Sequence, residues 1–503
     1  MSTSLRMLLV AAGMLVIVPY LFAQPTLEWS NIYGTDSVEL VFEVETTSDG
    51  AFLLVAQSFA EDPGYFWVGK VARDGELLWD VVQTYEFPPA FEDPEAQVIG
   101  VFEVDDGYRL LFHRWNNGEG MDDIAMYPIS MDGEYGELEV VFENSWDGSP
   151  YFPVFLETDD GYAMAGGPTE WPYPGPDLPV YLLELDSDLN VTSEESYTFG
   201  AETWVSVDAG VYLSGTGYAF AGSRETVNGD DARDLQLMMI DDNGTLAWSE
   251  TFGDPSHREN PSSLLATSDG GFLVTGEQEL EGAESANFHV LKTDGSGTVE
   301  WETSFSGDMS WSIFSDAIED YAGEYILTGI TTPDEGDLLN ADIVLTKLDA
   351  DGNERWTVTF GEADQLDIAS AVVPHFDDSV YLIGAQGTME NVDGWVAKTT
   401  NDVLFVETDN RDMLPETSIL LGAYPNPFND QATIRVQTSE AGLLDVRVFD
   451  LLGREVLTAG REVLPAGVHR FSLRGEGIGS GVYFVRAIGP NGVSQVRKVT
   501  LLR

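Results

Sequence analysis

Apolar residues along this chain come in short bursts separated by Asp, Asn, Ser, Thr and Gly. The stretch TSDGGFLVTGE, Thr267 to Glu277, is typical: a polar turn, an aromatic residue, a few apolar residues, then Gly. This order, often with the closing Gly, recurs seven times, anchored on Phe52, Tyr108, Tyr162, Tyr218, Phe272, Tyr325 and, without the aromatic, Val380, which are spaced 53 to 56 residues apart. A second pattern follows each copy. VLKTDGSGTVEW has an apolar strand, an Asp/Gly turn and a strand ending in Trp, and it places Trp79, Trp248, Trp301 and Trp356. The copies near 125–141 and 180–195 keep the turn and lose the Trp. Alternation of period two around Asp/Asn/Gly turns predicts β-hairpins, and no segment shows a helical period.

Two hairpins per period make four strands every 50-odd residues. A sandwich has no reason to repeat at constant length, and solenoid repeats are usually shorter and capped. The pattern therefore predicts an all-β chain with a seven-bladed β-propeller. The ends agree. LEWSNIYG, Leu27 to Gly34, matches the Trp strands LAWSETFG and ERWTVTFG but lacks their preceding strand. The last copy, from Gly394, has the preceding strand and no Trp strand. Pairing the two would close the ring with the N-terminal strand and remove two exposed edges.

Charge then divides the chain. It has 503 residues and a net charge of −64, but residues 424–503 hold ten basic and seven acidic side chains, a net +3. The preceding 423 residues thus carry −67. Between them, 407–423 reads as a polar linker, leaving 24–406 for the propeller. The acidic surface disfavours nucleic acid and anionic lipid as partners. At the start, Arg6, the apolar run Met7 to Val18, Pro19 and Ala23 read as a signal peptide, residues 1–23, too short to span a membrane comfortably. No other stretch could span one, so no stable transmembrane segment is expected after signal removal. With no Cys, no disulfide holds the exported fold.

Candidate chemistry is sparse. DADGNE, Asp349 to Glu354, has Asp at alternate positions like a calcium loop, but Gly352 stands at position four where a hairpin needs it, not at six. His113, His257, His289, His375 and His469 form no paired-ligand spacing, and His289 reads as a packed strand residue. No nucleophile elbow or phosphate loop is present. No catalytic, cofactor-binding or metal-binding residue is assigned, and no cofactor is expected.

The last 80 residues read as a small antiparallel β-sandwich. Their motifs are AYPNPFND from Ala423, VRVFDLLGREV from Val446, LPAGVHRFSL from Leu464, GSGVYFVRA from Gly479 and RKVTLLR at the end. In that order they resemble the type A C-terminal sorting domain of type IX secretion cargo. Pro425, Asn426, Pro427, Gly453, Gly481, Tyr483 and Lys498 carry the likeness. It implies passage through the periplasm to the outer-membrane surface or the medium, with the secretion machinery and a sortase as partners. TSDGGF partly resembles the Asp-box turn of sialidase-type propellers but lacks the closing Thr-Trp. The Trp hairpin resembles the repeat of quinoprotein propellers, whose eight blades and vicinal Cys pair are missing. The whole period resembles repeats of secreted bacterial propellers without assigned activity. The expected role is a secreted or surface binding module for extracellular glycan or protein. The alternative is a hydrolase or lyase acting on polysaccharide with carboxylates in the central funnel. Buried carboxylates of raised pKa would favour the enzyme, and an apolar or aromatic patch the binder.

Overall fold

The computed structural model describes residues 24–400 and 419–501, except 36, 38, 59–63, 85–93, 117–121, 144–149, 169–178, 201–202, 227–232, 254–256, 281–284, 307–309, 321–322, 334–339, 363–364, 376–378, 389–390, 425–430, 439–441, 451–453, 465–466, 476–478, 480 and 490–493. The signal-peptide segment and most of the expected linker lie outside the described residues. Within them the chain is all-β, built of antiparallel sheets consistent with a propeller, with no α-helix.

Seven sheets follow one another through residues 27–399. The first is representative: Glu39–Thr46, Phe52–Ser58, Tyr65–Val71 and Leu77–Thr84, paired in chain order. Its two middle strands are buried at every position, while the outer strand is exposed or half-buried throughout. This explains the unbroken apolar bursts in the middle of each period and the mixed polarity around each Trp. All seven anchors, Phe52 to Val380, are buried. The fourth sheet has five strands, because its inner strand splits into Thr203–Val205 and Ala209–Leu213, both paired with Gly217–Thr226.

The seventh sheet is completed from the other end of the chain. Leu27–Tyr33 pairs antiparallel with Asn391–Thr399, as the matching ends predicted. The innermost strands touch in a cycle: Glu39–Thr46, Pro94–Val104, Pro150–Glu157, Ala209–Leu213, His257–Ala266, Trp311–Glu319, Leu366–Pro374, and back to the first.

Each Trp holds one sheet to the next. Trp79 packs on Tyr108, Trp248 on Phe272 and Trp301 on Tyr325, with ring centroids 5.8, 6.0 and 5.9 Å apart. The following sheet's turn lies over the same ring. A Cβ on Gly352 (φ +80°) would sit 2.6 Å from Trp301. Gly here serves both the left-handed turn and the neighbour's indole. Trp29 makes the same approach to Gly75 of the first sheet, so the seventh sheet meets the first as the others meet their successors.

The tail forms two further sheets. Ile419–Tyr424, Gln431–Thr438 and Gly467–Arg474 make one; Glu455–Leu464, Gly442–Asp450, Gly481–Ile488 and Ser494–Leu501 make the other. Both contribute to one buried cluster that includes Ile434, Leu473, Val446, Val485 and Val499. Gly481, Tyr483 and Lys498 lie on neighbouring strands of the second sheet. Tyr483 is buried and its hydroxyl donates to the Gly479 carbonyl (2.7 Å). Pro425, Asn426, Pro427 and Gly453 lie outside the described residues.

Candidate functional site

The acidic turns singled out by sequence are structural. The Asp349 carboxylate accepts the amides of Asp351 (3.0 Å) and Asn353 (2.8 Å) across its own hairpin turn, which holds its pKa down although neighbouring burial pushes it up. Asp241 and Asp294 are bonded the same way. In the opening TSDGGF turn, Asp269 takes the Thr267 hydroxyl (2.6 Å) and the Gly271 amide (3.0 Å), and its carboxylate meets the buried Lys292 ammonium at 3.0 Å. These carboxylates cap turns. Among the described residues no group of three or more His, Asp or Glu side chains is placed to hold a metal ion. His113, His289 and His375 are buried; His289 Nε2 lies 2.9 Å from Glu302, and the His113 and His375 rings pack edge-on to Tyr151 and Tyr381.

The site that geometry assembles is elsewhere. Six of the inner strands shift register in mid-strand: at Val41/Glu43, Val98/Gly100, Tyr151/Val154, Pro261/Ser263, Phe314/Asp316 and Ala369/Ala371. The break after Val205 does the same in the fourth sheet. Such bulges bend a strand and re-aim its side chains. In five of the seven sheets the Gly ending the apolar burst is their seat. A Cβ on Gly166, Gly222, Gly276, Gly329 or Gly384 would fall 1.9 to 2.1 Å from an inner-strand carbonyl oxygen. In those five sheets no side chain fits there, whereas the first and second sheets carry Ala56 and Phe112 opposite their shifts.

Residues around the seven irregularities line one cavity of about 520 Å³. Glu43, Glu45, Glu157, Asp208 and Asp316 supply carboxyl groups, and Ser262, Ser263, Ser315 and Ser370 supply hydroxyls. Phe155 adds an aromatic wall, stacked at 4.9 Å on Phe102. No Lys, Arg or His lines it. Asp316 is tied down by the amides of Val372 (2.9 Å) and Ala317 (2.8 Å), bridging two sheets.

Without a counter-cation, confinement dominates the electrostatics. Burial pushes Glu43 up to about 8. Burial, then the negative charges of Glu157, Glu43 and Glu103, pushes Glu45 to about 8. Burial raises Asp208 and Asp316 to about 6 against the hydrogen bonds each accepts. Near neutral pH the channel therefore presents carboxylic acids beside carboxylates. A carboxyl whose folded pKa lies above its unfolded value favours folding below the unfolded value, and that contribution fades as pH rises to the folded one. Each such proton tilts stability by up to about 1.4 kcal/mol per unit, less where channel water screens it, for Asp208 and Asp316 between about pH 3.8 and 6 and for Glu43 and Glu45 between about pH 4.5 and 8. Denaturation midpoints should fall across these windows, and Glu43→Gln should flatten the fall. A midpoint rising from pH 5 to 8, unaffected by the substitution, would refute the assignment.

Sequence reasoning had allowed carboxylates in the funnel without naming them. The available signal was local: VFEVE, NPSSLL and IFSDA place polar residues where an alternating buried strand would carry apolar ones.

Residues 422–501 match the family of secretion system C-terminal sorting domains. The tail is a type IX sorting domain. It directs the chain through the periplasm to the cell surface or the medium, and so implies contact with the secretion machinery. No described helix is long and apolar enough to cross a membrane. No curated protein matches the sequence. Among solved structures the chain is similar to a fungal alcohol oxidase of the AA5 family, in complex with copper, at 11% identity over 96% of this chain and 100% of the other, TM-score 0.46. It is also similar to PorZ, a surface component of the type IX secretion system of Porphyromonas gingivalis, at 11% identity, 92% and 81% coverage and TM-score 0.23. A PL25 ulvan lyase aligns at 11% identity, 72% and 95% coverage and TM-score 0.46. Likenesses this distant bear on neither substrate nor chemistry.

Proposed function

We propose that this chain is a type IX-exported binding protein: a seven-bladed β-propeller, residues 24–406, joined by the linker 407–423 to a sorting domain, 424–503, that forms a small β-sandwich. On this reading residues 1–23 are a signal peptide, Pro425, Asn426, Pro427, Gly453, Gly481, Tyr483 and Lys498 form the recognition motif, and a surface sortase removes the tail. The central channel binds an uncharged, hydroxyl-rich ligand, a neutral glycan. The observation that carries this is the lining: serine hydroxyls and carboxyl groups to exchange hydrogen bonds, Phe155 to stack on a sugar face, and no cation. A lyase acting on acidic sugars has less support, since nothing in the lining would neutralise a uronate.

Raised carboxyl pKa values also favour the hydrolase reading. An acid such as Glu43 near an ionised partner is the arrangement of glycoside cleavage. The mature secreted protein, screened against neutral, acidic and amino oligosaccharides with reducing-end detection, separates the two. Binding of a neutral glycan without cleavage, weakened about tenfold or more by Phe155→Ala, is the expected result. Cleavage abolished by Glu43→Gln would replace it with the hydrolase. Preference for acidic glycans would overturn both.

A further inference from the structure

A second cavity, of about 470 Å³, lies outside the channel between the third and fourth sheets, where the connecting turns gather. Its aromatic wall is Tyr162, Tyr212 and Tyr218, and its acidic wall Asp159, Asp160, Glu184, Asp186 and Asp242. No basic residue lines it. Acidity alone would say little on so acidic a chain. Comparison with the other sheets says more.

In four of the seven sheets the third strand carries a Lys facing the Trp strand: Lys70 opposite Trp79, Lys292 opposite Trp301, Lys347 opposite Trp356 and Lys398 opposite Trp29. The first three stand immediately before a register shift. Each of these three ammonium groups is held by a turn carboxylate, and Lys292 by a strand carboxylate as well. Lys70 meets Asp49 at 2.6 Å and the next sheet's Tyr108 hydroxyl at 2.9 Å; Lys292 meets Asp269 and Glu300; Lys347 meets Asp320 and Glu324. In the third sheet the residue before the same shift is Glu184. The next sheet's tyrosine is still there, and the Tyr218 hydroxyl donates to Glu184 Oε1 at 2.9 Å. The turn acid is still there as well: Asp159 Oδ2 accepts Tyr212 (3.0 Å) and Ser214 (2.6 Å). The frame that surrounds an ammonium elsewhere is kept here, the internal ammonium is replaced by a carboxylate, and a cavity opens in its place.

We propose that this cavity binds an external organic cation, an alkylammonium group, whose charge takes the place of the missing lysine. Asp159 and Glu184 would accept its N–H donors, and the tyrosine faces would cover its alkyl stem and charge. The group could come from a lysine side chain of a peptide or from a free polyamine.

The test uses the full mature protein and calorimetric titration with N-acetyl-lysine methylamide, spermidine, and the neutral N-acetyl-norleucine methylamide. At least one amine should bind about tenfold or more tightly than the neutral analogue. The tighter of the two identifies the source. Glu184→Lys, which restores the residue of the sibling sheets, should fold with an unchanged or higher midpoint and abolish amine binding. Glu184→Gln should weaken it. Equal affinity for the neutral analogue, or amine binding unchanged in a folded Glu184→Lys protein, would overturn the proposal. Neither result depends on what the central channel binds.

Discussion

Deleting residues 424–503 should stop the protein at the periplasm. The surface and medium fractions should fall to background while a folded periplasmic pool accumulates. The two halves of this expectation rest on different observations. Loss of export follows from the sorting-domain match over 422–501. Retention of a folded body follows from packing: the tail's buried cluster, from Ala432 to Leu501, is made entirely of tail residues. The body's clusters draw only on residues 27–397. Removing one core should therefore leave the other intact. Fractionation with protease accessibility on whole cells makes the measurement. A truncated protein that still reached the surface would remove the tail as the address. A truncated protein that reached the periplasm unfolded would instead show the two cores to be coupled.

Much of the architecture was legible because the repeat writes the same physics seven times. The anchors from Phe52 to Val380 are buried residues at the start of a middle strand in each sheet, so their spacing reports the sheets directly. The Trp–turn pairing was legible only as coincidence. Its cause, the indole of Trp301 lying under Gly352 of the following sheet, is an inter-sheet contact that no local pattern encodes. The reason for the Gly that closes five of the bursts lies in a neighbouring backbone carbonyl, which no local pattern shows. The channel was the least legible part. Glu43, Asp208, Ser315 and Asp316 come together only because bulges at corresponding heights on separate strands turn them toward a common axis. The acidic groups conspicuous in sequence, Asp349 and Asp269, were conspicuous because turns need such side chains to bond their own amides.

The N-terminal strand is where the proposed ring can be broken most cheaply, and deleting Leu27 to Gly34 should destabilise the whole body. The strand is short, but its contacts tie the seventh sheet to the first. Six residue pairs join it to Asn391–Thr399. Glu28 meets the largely buried Lys398 at 2.5 Å. Trp29 packs on Tyr381, and the Tyr33 hydroxyl donates to the Gly75 carbonyl of the first sheet at 2.7 Å. Without the strand, Lys398 loses Glu28, Asn391–Thr399 becomes an open edge, and the contacts made to Tyr381 and Gly75 are lost. Trp29→Ala alone should cost about 2–4 kcal/mol, a half-buried aromatic lost at a junction. The deletion should cost more, because backbone pairing goes too. The distinguishing feature is where the loss appears. In a closed ring each sheet is held by both neighbours, so opening one junction should lower hydrogen-exchange protection in the third and fourth sheets, on the opposite side, together with the seventh. In an open stack the damage would stay beside the missing strand. Protection lost only in the first and seventh sheets, with a denaturation midpoint otherwise unchanged, would mean that the cycle of inner-strand contacts does not act as a closed ring.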